Sequence, residues 1–432
     1  MKRTEVQVSL LDMVMCVSRT TDLVSPVVAD HQKRVAYLAT RLAAAVGLSK
    51  EEQRRVFAAG ALHDIGALSL SDRLSALDFE TQHTALHTQT GSALLRSYQP
   101  LAPIADMILH HHTYWDDDKD GRAPLGAQLV HLADRIDVLL RHDRGNCLLS
   151  QVDSVCQRIN AVAGRMFDPE LVTVFLELAQ QEAFWLDLRP TMIDIVLAQQ
   201  VFDDDLTLDL DGLLDFAQMI SHVIDFRSRF TATHSEGVAA TAEALAQALG
   251  YDPEHCRQIR VAGFLHDLGK LAVPSNLLEK PGALTPSEYA VIRSHSYYTY
   301  RSLEVVRGLE EIAGWAAYHH ERLDGKGYPF RLAAPDLSPE ARLMAVADVY
   351  TAVTEDRPYR RGMERSAAQR VLQRMVLDGA MDGSIVECLC DNIEQIEEAR
   401  VTAQQAAVER YEAFWENVNN STYIYRNLQI GS

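Results

Sequence analysis

Histidine and aspartate recur in this 432-residue chain at spacings that suit metal ligation. The C-terminal half carries His234, His266-Asp267, His295, His319-His320 and Asp348, and the N-terminal half carries His31, His63-Asp64, His87, His111-His112 and Asp134. A shift of 203 residues lays His31 on His234 and His63-Asp64 on His266-Asp267. A five-residue insertion raises the offset to 208 (295 − 87), pairing His87 with His295 and His111-His112 with His319-His320. Six more bring it to 214, pairing Asp134 with Asp348 and Asp168 with Asp382. Ten of the sixteen histidines occupy these paired positions. A lone helical histidine usually satisfies a backbone carbonyl; five histidines and two aspartates repeated in register point to ligation. Imidazole with carboxylate suits borderline divalent ions such as iron, manganese, cobalt or zinc. Neighbouring helix residues diverge by ~100°, so Asp267 can lie between two ions while His266 holds one.

The elements that must hold these side chains read as helices. From Asp30 to Gly47 the apolar residues Val35, Leu38, Ala39, Leu42 and Val46 form one stripe of a 3.6-residue period. Gly47 supplies the stop, Ser49 with Glu52 a capping box, and Thr285-Pro286-Ser287-Glu288 another box with proline at the first helical position. The stripe repeats at the same offset as Val238, Ala242, Leu245 and Leu249, closed by Gly250. Leu11, Asp12, Ser18 and Asp22 likewise match Leu214, Asp215, Ser221 and Asp225. Alternating strand patterns are scarce. The expected fold is all-α, two tandem copies of one helical domain related by internal duplication, over 1–190 and 211–432, joined by an acidic linker at 191–210 that holds Asp203, Asp204, Asp205 and Asp209. The last helical stretch, with Ile393, Ile396, Ala403, Phe414 and Trp415, packs on its own domain or makes a homodimer contact.

Composition narrows the class. Sixty acidic against 41 basic residues leave a net charge of −19, which argues against coating a nucleic acid polymer or an anionic membrane. The six cysteines form no CxxC pair and read as reduced thiols of a cytoplasmic protein. No apolar signal core follows Lys2-Arg3, and no run approaches the ~18 apolar residues of a membrane span.

Phe264-Leu265-His266-Asp267-Leu268-Gly269-Lys270, followed by His319-His320-Glu321-Arg322-Leu323-Asp324-Gly325-Lys326-Gly327-Tyr328-Pro329, resembles the HD-GYP family of the all-helical HD phosphohydrolase superfamily. Ala347-Asp348 and Arg357-Pro358-Tyr359-Arg360 match as well, and the resemblance covers about 211–390. It implies a metal-dependent phosphodiesterase that opens a cyclic dinucleotide, cyclic di-GMP or 3′,3′-cyclic GMP-AMP, to the linear 5′-phosphorylated form. One ion would take His234, His266, Asp267 and Asp348; the other would share Asp267 and take His295, His319 and His320, with iron or manganese as the metal. Lys270 would neutralise the scissile phosphate, Arg357 and Arg360 would hold the other phosphate, and Tyr328 would shape the pocket. Two departures stand out. The glutamate that supports a third metal in some members is Phe230 here, so two ions are expected, and the usual arginine three residues after the first histidine is Gly237. The rival function is a receptor that binds the nucleotide without cutting it.

The N-terminal copy retains every ligand type, His31, His63, Asp64, His87, His111, His112 and Asp134, and could hold two more ions. Lys270, Arg357 and Arg360 correspond there to Ala67, Asp143 and Asn146, and the Gly-Tyr-Pro loop is missing. A degenerate copy, a nucleotide-sensing module and a second hydrolase remain open. The last, a 5′-nucleotidase acting on the linear product, is favoured.

Overall fold

A computed structural model describes residues 6–80, 85–141, 147–199, 206–226, 233–280, 282–356 and 361–430. These residues are overwhelmingly helical, and their strands form one two-residue antiparallel ladder, β1 (Val8–Ser9) with β2 (Thr207–Leu208). Two compact units make up the chain, and their segments are not consecutive: 17–206 group with 417–432, and 1–16 group with 207–416. The first residues join the second unit because Val8 pairs with Leu208 and the Cys16 thiol donates to the Ser302 carbonyl at 3.1 Å. The stretch read as a linker contains a helix at Ile193–Gln199 and the β2 strand, whereas Asp203, Asp204 and Asp205 lie outside the described residues.

Five helices of the first unit present its paired residues: α1 (His31–Ala45), α2 (Lys50–Leu62), α3 (Ala85–Arg96), α4 (Ala105–His110) and α5 (Leu125–Arg141). Their counterparts in the second unit are α6 (His234–Ala248), α7 (Pro253–Leu265), α8 (Pro286–Leu303), α9 (Glu310–Ala317) and α10 (Pro339–Thr354). The copies stop by the same device and start by related ones. Ser49 opens α2 with a complete capping box, Asp252 at the matching position caps α7 by accepting from the His255 N–H, and the Thr285 box opens α8; Gly47 and Gly250 end α1 and α6 at φ of 82° and 83°, where a Cβ would be strained. Asp22 accepts from the Gln32 N–H and Asp225 from the Ser235 N–H, both at 3.1 Å, so a preceding carboxylate holds the start of α1 and of α6. The last pair in register, Asp168 and Asp382, caps the helices Pro169–Leu178 and Gly383–Asp391.

Packing then brings the helix ends together. Val35, Leu38, Ala39 and Leu42 are fully buried, as are Val238, Ala242 and Leu245; each such leucine contributes ~1.5–3 kcal/mol relative to exposure. Helix α6 lies so close to α7 that a Cβ on Gly263 would meet Ala239 Cα at 2.5 Å, and one on Gly60 would meet Ala36 Cα at 2.8 Å. That proximity sets His266 beside His234, and His63 beside His31. The final helix, α11 (Ile393–Ile430), buries Ile396 and sets Tyr411 and Phe414 against Phe226, with ring centroids 5.0 Å apart in both cases.

Candidate metal centres

In the second unit five of the seven paired ligand-type residues sit at or just past a helix end, and two lie mid-helix. His234 opens α6, His266 and Asp267 follow the last residue of α7, His319 and His320 follow α9, while His295 and Asp348 point inward from α8 and α10. Several rings are locked from behind. His266, His295 and His319 each place Nδ1 2.7 Å from the carbonyl three residues back, Gly263, Ile292 and Ala316. Nδ1 must carry the proton there, which leaves Nε2 with a lone pair facing the cluster. Asp267 divides its two oxygens: Oδ2 lies 3.1 Å from His266 Nε2 and 4.0 Å from His234 Nε2, and Oδ1 lies 3.3 Å from His295 Nε2. Asp348 Oδ1 is 3.4 Å from His234 Nε2, and its Oδ2 is 3.8 Å from His320 Nδ1. Burial pulls the His295 ring down to about 3, the neutral form that ligates metals. Burial also pushes the Asp267 carboxyl upward, but the fields of His266 and Lys270 outweigh it and hold the group well below the usual carboxylate range.

The first unit repeats this geometry in a tighter enclosure. Asp64 Oδ2 faces His63 Nε2 at 3.5 Å and His31 Nε2 at 3.9 Å, and Oδ1 faces His87 at 3.7 Å and His111 at 4.0 Å. His63 and His111 are locked on the Gly60 and Ile108 carbonyls. Side chains of His31, His63, Asp64, His87, His111, His112 and Asp134 are at most 5% exposed, whereas His320 is 30% and Lys270 21% exposed. Buried atoms without a hydrogen-bond partner gather here: Asp64 Oδ1, His87 Nε2, His111 Nε2, both ring nitrogens of His112 and Asp134 Oδ1, with His266 Nε2 in the other unit. Leaving such an atom unsatisfied costs ~1–3 kcal/mol, and a divalent cation would satisfy them together. The donor sets fit metal ions in both units, and their ligand atoms fall within 4.8 Å of one another in overlapping groups.

The HD domain family matches twice, at 28–139 and 218–385. A 3′3′-cGAMP-specific phosphodiesterase of Vibrio cholerae is 34% identical over 403 residues, spanning 90% of this chain and 93% of the relative. The chain belongs to the HD-GYP family. A cyclic di-GMP phosphodiesterase of Pseudomonas aeruginosa is 43% identical over 142 residues, about a third of each HD-GYP chain. A crystal structure of a cyclic GMP-AMP specific phosphodiesterase of V. cholerae superposes with a TM-score of 0.64 at 21% identity, covering 90% of this chain and 98% of that one, a likeness of fold. No helix among the described residues is long and apolar enough to cross a membrane.

Within this HD-GYP site Lys270 lies 2.5 Å from Asp267, and the Tyr328 ring rests 4.8 Å from His320. Arg357, Arg360, Phe230, Asp143 and Asn146 lie outside the described residues. Four further side chains join the HD-GYP centres. Glu355 accepts from His234 Nδ1 at 3.2 Å, and Asp137 does the same for His31 at 2.7 Å. Glu321, in the motif but without an assigned role, accepts from the N–H groups of Phe330, Arg331 and Leu332 and so ties down the Gly-Tyr-Pro loop. Arg293 lies 4.3 Å over the Tyr328 ring. The first copy, without a lysine at position 67, has a cation at another place. Buried Arg135 reaches Asp134 at 2.5 Å and is fixed by the Ala76 carbonyl, although its register partner is Val349.

Proposed function

We propose that this chain hydrolyses a cyclic dinucleotide, 3′,3′-cyclic GMP-AMP or cyclic di-GMP, to the linear 5′-phosphorylated dinucleotide. The observation that carries the reading is Asp267, one carboxylate turned toward His234 and His266 through one oxygen and toward His295 through the other, with Lys270 against it. His234, His266, Asp267 and Asp348 would hold one divalent ion, and Asp267, His295, His319 and His320 a second, iron or manganese suiting such ligands. When bound, such a pair supplies a water of lowered pKa and offsets charge on phosphate oxygens. Lys270 neutralises the non-bridging oxygens of the scissile phosphate as negative charge builds there. Tyr328, held in place by the Glu321-anchored loop, shapes the pocket, and Arg357 and Arg360 carry the charge for the second phosphate. Water adds to phosphorus, the bond to the ribose 3′-oxygen breaks, and that oxygen leaves with a proton.

The relative that spans both units supports 3′,3′-cyclic GMP-AMP as the first substrate to try. Purified protein with manganese or ferrous iron should convert it to the linear product, while Asp267→Ala leaves the ring intact. Equal survival of the ring with both proteins would sink the reading, and tight binding without cleavage would make the chain a receptor. For the first unit the same proposal assigns a small phosphomonoester, the 5′-phosphate of the linear product. Its near-complete burial leaves little room for a cyclic dinucleotide, and Arg135 supplies a cation beside Asp134. Full-length Asp267→Ala given the linear dinucleotide should release inorganic phosphate, and Asp64→Ala should not. No release from the first protein removes the nucleotidase.

A further inference from the structure

The two copies solve one problem with different parts. In the first unit Arg34, three residues after His31, donates to Asp137, and Asp137 accepts a hydrogen bond from His31 Nδ1. The carboxylate thus fixes the tautomer and leaves Nε2 toward Asp64 and Asp134. At the matching positions of the second unit stand Gly237 (34 + 203) and Thr351 (137 + 214), so both partners are gone. The carboxylate comes instead from Glu355, one turn further along, whose Oε2 lies 3.2 Å from His234 Nδ1. A side chain of α11 occupies the space over Gly237. Gln404 donates from Nε2 to Glu355 Oε1 at 3.2 Å and to the Thr233 carbonyl at 3.4 Å. A Cβ at Gly237 would come within 2.7 Å of that nitrogen. The glutamine is itself held from below, because buried Arg400 donates to its Oε1 and pairs with Glu397 at 2.8 Å, and Glu397 in turn accepts from Tyr350 on α10.

We infer that Gln404 is a positioning residue for His234: the amide orients Glu355, and Glu355 orients the imidazole. The inference rests on the reading of His234 as a metal ligand. It gives α11 a part in the centre of the second unit, and it explains why position 237 is glycine, since any larger side chain there would displace the glutamine.

The test is manganese binding by the full-length chain, with free ion followed by electron paramagnetic resonance, beside kcat and KM for the cyclic dinucleotide. Gln404→Met keeps the side-chain volume and removes the amide. It should weaken the tightest sites about tenfold, the scale of other outer-shell losses, and lower kcat with KM unchanged, while the metal-free melting temperature stays put. Gln404→Glu, which sets a carboxylate against Glu355, should be worse, and Gln405→Ala on the exposed neighbour should match wild type. If His234→Ala loses an ion and Gln404→Met binds manganese and turns over like wild type, the positioning role is wrong. If Gln404→Met loses affinity only because the metal-free protein melts much earlier, a packing role replaces it. If His234→Ala itself binds like wild type, the ligand reading falls first.

Discussion

Lys270 and Ala67 occupy the same place after their His-Asp pairs, and the difference between them is one partly exposed cation. Lys270 is held against Asp267, and the neighbouring carboxylates raise the pKa of its ammonium despite the desolvation that opposes them. It stays charged at any working pH. Lys270→Ala should therefore keep its metal ions and lose turnover, kcat falling roughly 10²–10³-fold as for other lost transition-state donors. Steady-state kinetics beside metal analysis check this; equal loss of metal and activity would make the lysine a scaffold for Asp267. The ligand types were legible in the residues because ten histidines repeat in register. Glu355 and Asp137 were not, since one copy recruits its supporting carboxylate from within the last ligand-bearing helix and the other from the residue just past its end, which breaks the register that exposed the rest. Arg135 escaped for a related reason: it reaches Asp134 from the adjacent residue, whereas Lys270 lies three residues beyond Asp267.

At the scale of elements, ligands cluster because helices end where they do. The Leu268–Ala272 turn that follows Asp267 runs against α8 with no room between them, and a Cβ on Gly269 would stand 1.9 Å from the His295 carbonyl and 2.7 Å from the Thr299 amide. Gly66 has the same relation to the His87 carbonyl, at 2.1 Å. Gly269→Ala must push the turn off α8, and with it Lys270 and Asp267. A loss of about 2–4 kcal/mol in urea unfolding is expected, at the upper end of overpacking costs, together with loss of bound metal. A change below ~0.5 kcal/mol would show that the turn can retreat freely. The capping boxes and the glycine stops follow from local chemistry and were readable as such. The closeness of α6 to α7 was not, because a glycine in a helix tells nothing of which neighbour fills the space it leaves.

For the molecule as a whole, two similar centres in two units would give bound metal a stabilising role as well as a chemical one. A ligand that binds only the folded chain adds RT ln(1 + [L]/Kd), about 2.7 kcal/mol at a hundredfold excess over Kd. Chelation should lower the melting temperature, and added manganese should restore it. Asp267→Ala should keep a smaller metal-dependent shift due to the first unit, and combination with Asp64→Ala should abolish it. If Asp267→Ala alone abolishes the shift, the first unit holds no metal. Acidic residues in excess suit a chain that gathers cations, but the net charge of −19 does not say where they sit.

Read without coordinates, the residues determine that the chain is helical, duplicated and built around histidine-aspartate pairs, because periodicity, caps and repeated ligand types are properties of neighbours along the chain. Tertiary structure alone decides which end segment packs with which unit, that Asp267 splits its oxygens between two histidine groups, and that a glutamine 170 positions beyond His234 (404 − 234) supports it. Those facts depend on where helices cross, and a crossing is fixed by the summed burial of side chains far apart in the chain, which no local pattern encodes.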